Sequence, residues 1–207
     1  MGQAKLKAVK KVELLKLDLG CGTNKREGFT GVDRIKFAGV DQVVDLRVAP
    51  WPWVDNSVAE IHSSHFVEHL QWPERIIFFN EAYRVLVPEG KMTVITPDPS
   101  HDCFWGDPTH GPAMSSWYTY YLDKEWREGV KDVDGNWSKI NGMERRPNAP
   151  HVGSEVPGGY TCDFYFQNGL GWDQSVMARN DEYKMYAALH FRNAVRDLHA
   201  NLTARKK

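Results

Sequence analysis

Leu17-Asp18-Leu19-Gly20-Cys21-Gly22 closes an apolar run that begins at Val12, and eleven residues beyond Gly22 a second short run, Phe29 to Val32, ends on Asp33. A strand running into a Gly-x-Gly turn, followed by a strand that ends in a carboxylate, is the plan of a nucleoside pocket at the C-terminal edge of a parallel sheet. The glycines let backbone approach a ligand closely, and the acid offers acceptor oxygens to a ribose diol. The spacing separates nucleoside classes. A dinucleotide site asks for Gly-x-Gly-x-x-Gly/Ala, with a small third residue so that helix and strand pack closely, and here that position is Lys25. Asp33 also follows Gly22 too soon for a helix and two turns at helical rise. The NAD(P) reading is therefore set aside.

Outward from this stretch, strands are expected at 12–19, Phe29–Asp33, Val40–Asp45, Glu60–Phe66 and Lys91–Thr96. Pro73–Leu86 has helical spacing, with Ile76, Ile77, Phe79, Asn80, Tyr83 and Leu86 on a broad stripe, and Pro88-Glu89-Gly90 is read as its stop. Strands alternating with helix-length segments predict an α/β fold. Regularity breaks over 97–159, rich in Pro, Gly, Trp and His, with one helix expected near Ser115–Arg127 and turns at Asp134-Gly135 and Asn141-Gly142. It returns at Tyr160–Gln167, with a helix over Asn180–Asn193. Val195–Ala204 fits strand and helix alike, and the alternation of Leu198, Ala200, Leu202 and Ala204 favours a strand.

The 207 residues are expected to form one domain, with 42% hydrophobic and 26% charged residues. A net charge of −1 demands neither nucleic acid nor a membrane surface. Lysines at 5, 7, 10 and 11, and Arg205, Lys206 and Lys207, read as solvated ends. Cys21, Cys103 and Cys162 have no metal-site spacing, and no apolar run reaches membrane length, so a reducing cytoplasm is the expected location. Met1-Gly2 opens like a myristoylation site, but Leu6 fails the pattern. The sequons Asn136-Trp137-Ser138 and Asn201-Leu202-Thr203 carry no meaning without secretion.

Further motifs then fall into order: Gly31-Val32-Asp33, Val44-Asp45-Leu46, Pro50-Trp51-Pro52 with Asp55-Asn56-Ser57, His65-Phe66-Val67-Glu68-His69-Leu70, and Glu81 to Lys91. With the Gly turn, they make the chain resemble the class I S-adenosylmethionine-dependent methyltransferases, specifically the small type 11-like members, over about residues 12–98. The resemblance implies a Rossmann-like, mostly parallel seven-stranded sheet with a reversed last strand, and S-adenosyl-L-methionine as cofactor. It places Asp18 near the methionine amine, and Gly20, Cys21 and Gly22 along the carboxyl end. Asp33, with Arg34 beside it, would meet the ribose, Asp45 and Leu46 the adenine edge, and His65 the methyl group. Residues 12–98 would then be the cofactor half, 99–159 an acceptor-binding insertion after strand five, and 160–207 the closing strands and helix. The missing helix between Gly22 and Asp33 departs from the usual pattern.

His65, Asp98 and His110 are the candidate bases. Asp107-Pro108-Thr109-His110 follows strand five, whose end opens on the pocket edge, and an imidazole there can take a proton from an acceptor hydroxyl or amine. His65-Phe66-Val67-Glu68-His69 matches a zinc-protease pattern by letter, but that pattern needs helical register and His65 ends a strand, so no metal is expected. Trp105, Trp117, Tyr118, Tyr120, Tyr121, Trp126 and Trp137 read first as a second small core, then as an acceptor pocket, and with Arg145 and Arg146 as a platform for unstacked bases. The reading is a methyltransferase acting on O or N of a small molecule. The alternatives are a noncatalytic cofactor-binding scaffold, then a nucleic-acid or peptide methyltransferase.

Overall fold

The computed structural model describes residues 14–129, 131–136 and 159–206, with the backbone alone at 139–140 and 143–144. Five strands come first: β1 (Leu15–Leu19), β2 (Thr30–Asp33), β3 (Gln42–Val43), β4 (Val58–Ser64) and β5 (Leu86–Pro97), with α1 (Trp72–Val85) before β5. Short helices α2 (Asp102–Gly106), α3 (Tyr118–Leu122) and α4 (Lys124–Glu128) follow, then a hairpin of β6 (Lys139–Ile140) and β7 (Met143–Glu144). The chain closes with β8 (Phe164–Trp172), α5 (Gln174–Met177), α6 (Asp181–His190) and β9 (Val195–Ala204). The sheet order is β3-β2-β1-β4-β5-β9-β8, parallel from β3 to β5, with β9 antiparallel to both neighbours. This is the expected seven-stranded sheet with its last strand reversed.

One face of the sheet carries the core. Leu17, Leu19, Ile61, Met92, Val94, Leu202 and Phe164 pack with Phe78, Phe79, Ala82 and Val85 of α1. Between β3 and β4 a loop inserts Trp51 and Trp53 into this core. Trp51 sits edge-on to Phe78, donates its backbone N–H to Glu81 Oε2 at 2.6 Å and its indole N–H to the Leu46 carbonyl at 3.2 Å. The opposite face is polar and partly exposed, with Lys16 on Glu60 at 2.7 Å and Thr93 on Asn201 at 3.2 Å. Parallel strands are usually apolar on both faces. Among the described residues cover is one-sided, which is why β4, β5 and β9 alternate instead, and why the alternation over 195–204 marks a strand.

Three boundaries differ from expectation for visible reasons. Pro88-Glu89-Gly90 does not end the helix but bulges inside β5: Leu86 pairs with Val58 and Lys91 with Glu60, and Glu89 takes φ +62° to turn the corner. The single helix expected over Ser115–Arg127 is two, because Asp123 turns extended and caps α4 by accepting from Trp126 N at 3.0 Å. The Val40–Asp45 strand shrinks to Gln42–Val43, since Asp45 turns back onto Arg47. The first residues of the 12–19 strand, the N-terminal lysines, Lys207, Trp137 and Ser138 of the first sequon, Asn141-Gly142, Arg145 and Arg146 lie outside the described residues. Among the described residues no helix is long and apolar enough to cross a membrane.

Candidate active site

The parallel strands end on one edge, and the order reverses between β1 and β4, where open α/β sheets form their ligand crevice. Gly20-Cys21-Gly22 leave β1 there. Gly20 has φ +71°, and a Cβ on it would lie 2.2 Å from Phe66 Cγ, so only glycine lets the Phe66 ring lie over the turn. Gly20→Ala is expected to lower stability by about 2 kcal/mol or more, from the left-handed backbone and the clash together, read as a lower urea-unfolding midpoint. The turn's amides face inward: Gly20 N and Cys21 N donate to the Val32 carbonyl at 2.8 and 3.1 Å, and Gly22 N to Asp33 Oδ2 at 3.0 Å. Burial pushes the Cys21 thiol up, so it stays neutral.

The three acids fare differently. Asp18 is 3% exposed and accepts from Arg26 N at 2.7 Å while meeting His62 Nδ1 at 2.8 Å, so its carboxylate is closed to a ligand. The cause is register, because Asp18 and His62 are partners across β1 and β4. Asp33 is half-buried and accepts one bond on each oxygen, from Gly22 N and from Ile35 N at 3.0 Å. A carboxylate has about four acceptor sites, which leaves Asp33 free ones for a diol. Asp45 takes a bidentate grip from Arg47 at 2.9 and 2.7 Å, which pulls its carboxyl down to about 2.

Arg34, Val44, Asp45, Leu46 and Arg47 line a slot of about 80 Å³ whose other wall is Phe66, His69 and Leu70. Lined by Val44, Leu46, Phe66 and Leu70 and edged by the Asp45 carboxylate, it offers apolar walls and an acceptor to a heterocycle bearing an exocyclic amine.

The candidate bases do not converge. His65 stands at the end of β4 with φ +53° and a side chain 49% exposed. Its Nδ1 lies 3.4 Å from Glu68 Oε1 and its Nε2 3.8 Å from Asp197 Oδ1, and contact with Glu68 raises its pKa above the ordinary imidazole value. Asp98 is turned onto the Ser100 amide at 2.7 Å and shapes the turn into α2. His110, 8% exposed, donates Nδ1–H to the Phe104 carbonyl at 2.6 Å and meets His69 edge-on. The aromatics divide. Tyr120 and Trp126 join the main core, Trp105 is exposed, and Trp117, Tyr118 and Tyr121 line a second cavity of about 630 Å³ with Trp72, Arg75 and Tyr160.

Sequence reading missed Arg47, Asp197 and the burial of Glu68. Arg47 was findable, since Asp45-Leu46-Arg47 sets opposite charges two apart on a tight turn. The other two depend on strand pairing and tertiary packing.

No protein-family profile matches the chain, and no curated protein matches it. Among solved structures, a SAM-dependent methyltransferase from Archaeoglobus fulgidus is 14% identical, with a TM-score of 0.58 over 92% of this chain and 86% of that one. A SAM-dependent methyltransferase from Methanosarcina mazei is 13% identical, with a TM-score of 0.45 over 95% of each chain. Phosphoethanolamine N-methyltransferase 1 of Haemonchus contortus, solved with phosphoethanolamine and S-adenosylhomocysteine, is 13% identical, with a TM-score of 0.46 over 94% of this chain and 40% of that one. The first of these likenesses is one of fold: the seven-stranded, Rossmann-like sheet is that of the Archaeoglobus enzyme.

Proposed function

We propose that this chain is an S-adenosylmethionine-dependent methyltransferase acting on an oxygen or nitrogen of a small acceptor. The observation that carries the reading is the crevice at the strand reversal, where Asp33 keeps free acceptor sites beside the slot formed with Asp45 and Leu46. These residues fit the ribose and adenine of the cofactor. Asp18 does not fit the methionine amine, because its carboxylate is 3% exposed and turned onto His62 and Arg26 N, whereas Asp33 is only half-buried. The role of Asp18 here is to hold the Gly22–Asp33 connection against β4, in place of the helix that is missing. That missing helix also weighs against a dinucleotide, since no helix N-terminus faces the turn to receive a pyrophosphate.

When bound, S-adenosylmethionine supplies a methyl group already activated by its sulfonium. What remains for the chain is alignment, which can contribute several kcal/mol. Asp33 fixes the ribose and the slot fixes the base. Of the candidate bases, His65 is the one exposed at the crevice edge, and its ring can hold an acceptor's proton between Glu68 and Asp197. Asp98, turned onto the Ser100 amide, and His110, 8% exposed and fixed on the Phe104 carbonyl, act as positioning residues. The insertion after β5 borders the acceptor side, tied to the loop after α6 by Asp102 N on Asn193 Oδ1 at 2.7 Å. The lack of a basic surplus favours a small acceptor over nucleic acid.

A noncatalytic binding protein is the second reading, favoured by the inward-facing amides of the Gly turn. Calorimetric titration separates them in two steps. S-adenosylhomocysteine is expected to bind one-to-one at micromolar affinity while NADH shows no heat. Transfer of label from methyl-labelled cofactor to an acceptor panel then supports the enzyme. Binding with no transfer supports the scaffold, and absence of binding removes both.

A further inference from the structure

We propose that Glu68, His69 and His110 form a binding site for a divalent transition-metal ion of the zinc type. One ligand atom from each of the three lies within 4.8 Å of the other two. The letter pattern from His65 to His69 has no helical register, because His65 follows the end of β4 and Glu68-His69 belong to a single 3-10 turn. The fold supplies a different second imidazole, from a loop some forty residues downstream.

The first argument is Glu68. Its side chain is 2% exposed, and neither carboxylate oxygen receives a hydrogen bond. An ionised carboxylate withdrawn from water needs hydrogen bonds or a cation. The charged groups around it meet that need only in part. Arg75 directs its N–H groups to the backbone carbonyls of Val67, Glu68 and Pro112. His65 stands 3.4 Å away with half its surface in solvent.

The second argument is the protonation of the two rings, which their partners assign. Thr109 gives its hydroxyl proton to Asp107 Oδ1 at 2.6 Å, so toward His69 Nδ1 at 3.0 Å it can only accept. His69 therefore carries its proton on Nδ1. A carbonyl can only accept, so His110 Nδ1, at 2.6 Å from the Phe104 oxygen, also carries a proton. With Nδ1 engaged in this way, Nε2 is the atom that each ring has left to offer a metal ion. Fixing Nδ1–H on a carbonyl or a carboxylate-held hydroxyl is how proteins orient metal-ligating histidines. Two such rings whose centroids are 4.8 Å apart, beside an orphaned carboxylate, make a donor set without an acceptor.

The donors choose the ion. Two imidazole nitrogens and one carboxylate oxygen suit Zn²⁺ or its first-row neighbours, whereas Mg²⁺ and Ca²⁺ prefer oxygen alone. Bonds of about 2 Å put tetrahedral ligand atoms roughly 3.3 Å apart, so the three groups draw inward on loading. Asp107 Oδ2, 3.9 Å from His110 Nε2, is placed to accept from a water in the fourth position. Because His69 also lines the 80 Å³ slot, the ion would fasten the 107–111 loop to the rim of the proposed cofactor site.

The test uses the full chain stripped with a chelator and titrated with ZnCl₂ by calorimetry, with melting followed in parallel. One saturable equivalent and a rise in melting temperature with Zn²⁺ are expected. Glu68→Gln keeps the shape and removes the orphaned charge, so it should melt no lower than the metal-free parent, yet lose at least tenfold in affinity along with the Zn²⁺-dependent rise. His110→Ala should lose affinity likewise, and His190→Ala, a histidine on exposed α6, should keep it. No saturable equivalent in the parent overturns the site. So does unchanged affinity in Glu68→Gln and His110→Ala, or an equal loss in His190→Ala.

Discussion

Asp33→Ala is expected to weaken S-adenosylhomocysteine binding at least 100-fold. Two hydrogen bonds from ribose hydroxyls to an ionised carboxylate are worth about 1.5–3 kcal/mol each, which spans that range and more. The variant also frees Gly22 N and Ile35 N, which Asp33 now holds at 3.0 Å, so the turn loosens as the ligand contact goes. Asp33→Asn separates the two effects. It keeps one acceptor oxygen and should retain more of the fold's rigidity than of the affinity. Calorimetry with S-adenosylhomocysteine reads the loss, and affinity equal to that of the parent would remove Asp33 from the ribose.

Arg205→Ala is expected to remove about 3–5 kcal/mol of folding stability, the usual cost of leaving a buried charge without its partner. Asp123 is fully buried and holds Arg205 Nη2 at 2.8 Å on the same oxygen that caps α4. The guanidinium also pairs with Asp163, and the Tyr83 hydroxyl donates to the Arg205 carbonyl at 2.6 Å. The last strand's exit is thereby bolted to the insertion and to α1 at once. For a chain of this size the loss amounts to a fall of roughly 10 °C in melting temperature. Arg192→Ala is the contrast. Its pair with Asp102 is 72% and 67% exposed, and surface pairs contribute little. A melting temperature for Arg205→Ala within a degree or two of the parent would show that Asp123 is protonated or hydrated instead.

Local signals carried the sequence reading as far as they could. Gly20, Gly22 and Asp33 were legible because a tight turn and a strand end each leave a mark in a few adjacent residues, and the ordered motifs extended that over 12–98. The same locality hid which acids are available. Nothing near Asp18 says that His62 will arrive from β4 and take its carboxylate. The α3–α4 break was missed as well, although Asp123 makes it with a local cap on Trp126 N; what no local signal gives is that Arg205, far along the chain, pairs with the same oxygen. Glu68, His69 and His110 come together through the descent of the post-β5 loop onto the turn after β4, where Gly111 N donates to the Glu68 carbonyl at 2.7 Å. That contact has no counterpart in residue spacing.

The sheet, clad on one side among the described residues, bears on which of its positions tolerate change. Many alternate residues of β1, β4, β5 and β9 belong to a wet coat of pairs such as Lys16–Glu60, Thr93–Asn201 and Lys91–Thr203, rather than to a second core. Coat positions accept substitution with little loss, while the strands keep their pairing and their inner face. Those positions can thus change at little cost to the fold. The Archaeoglobus fulgidus structure has the same topology at 14% identity.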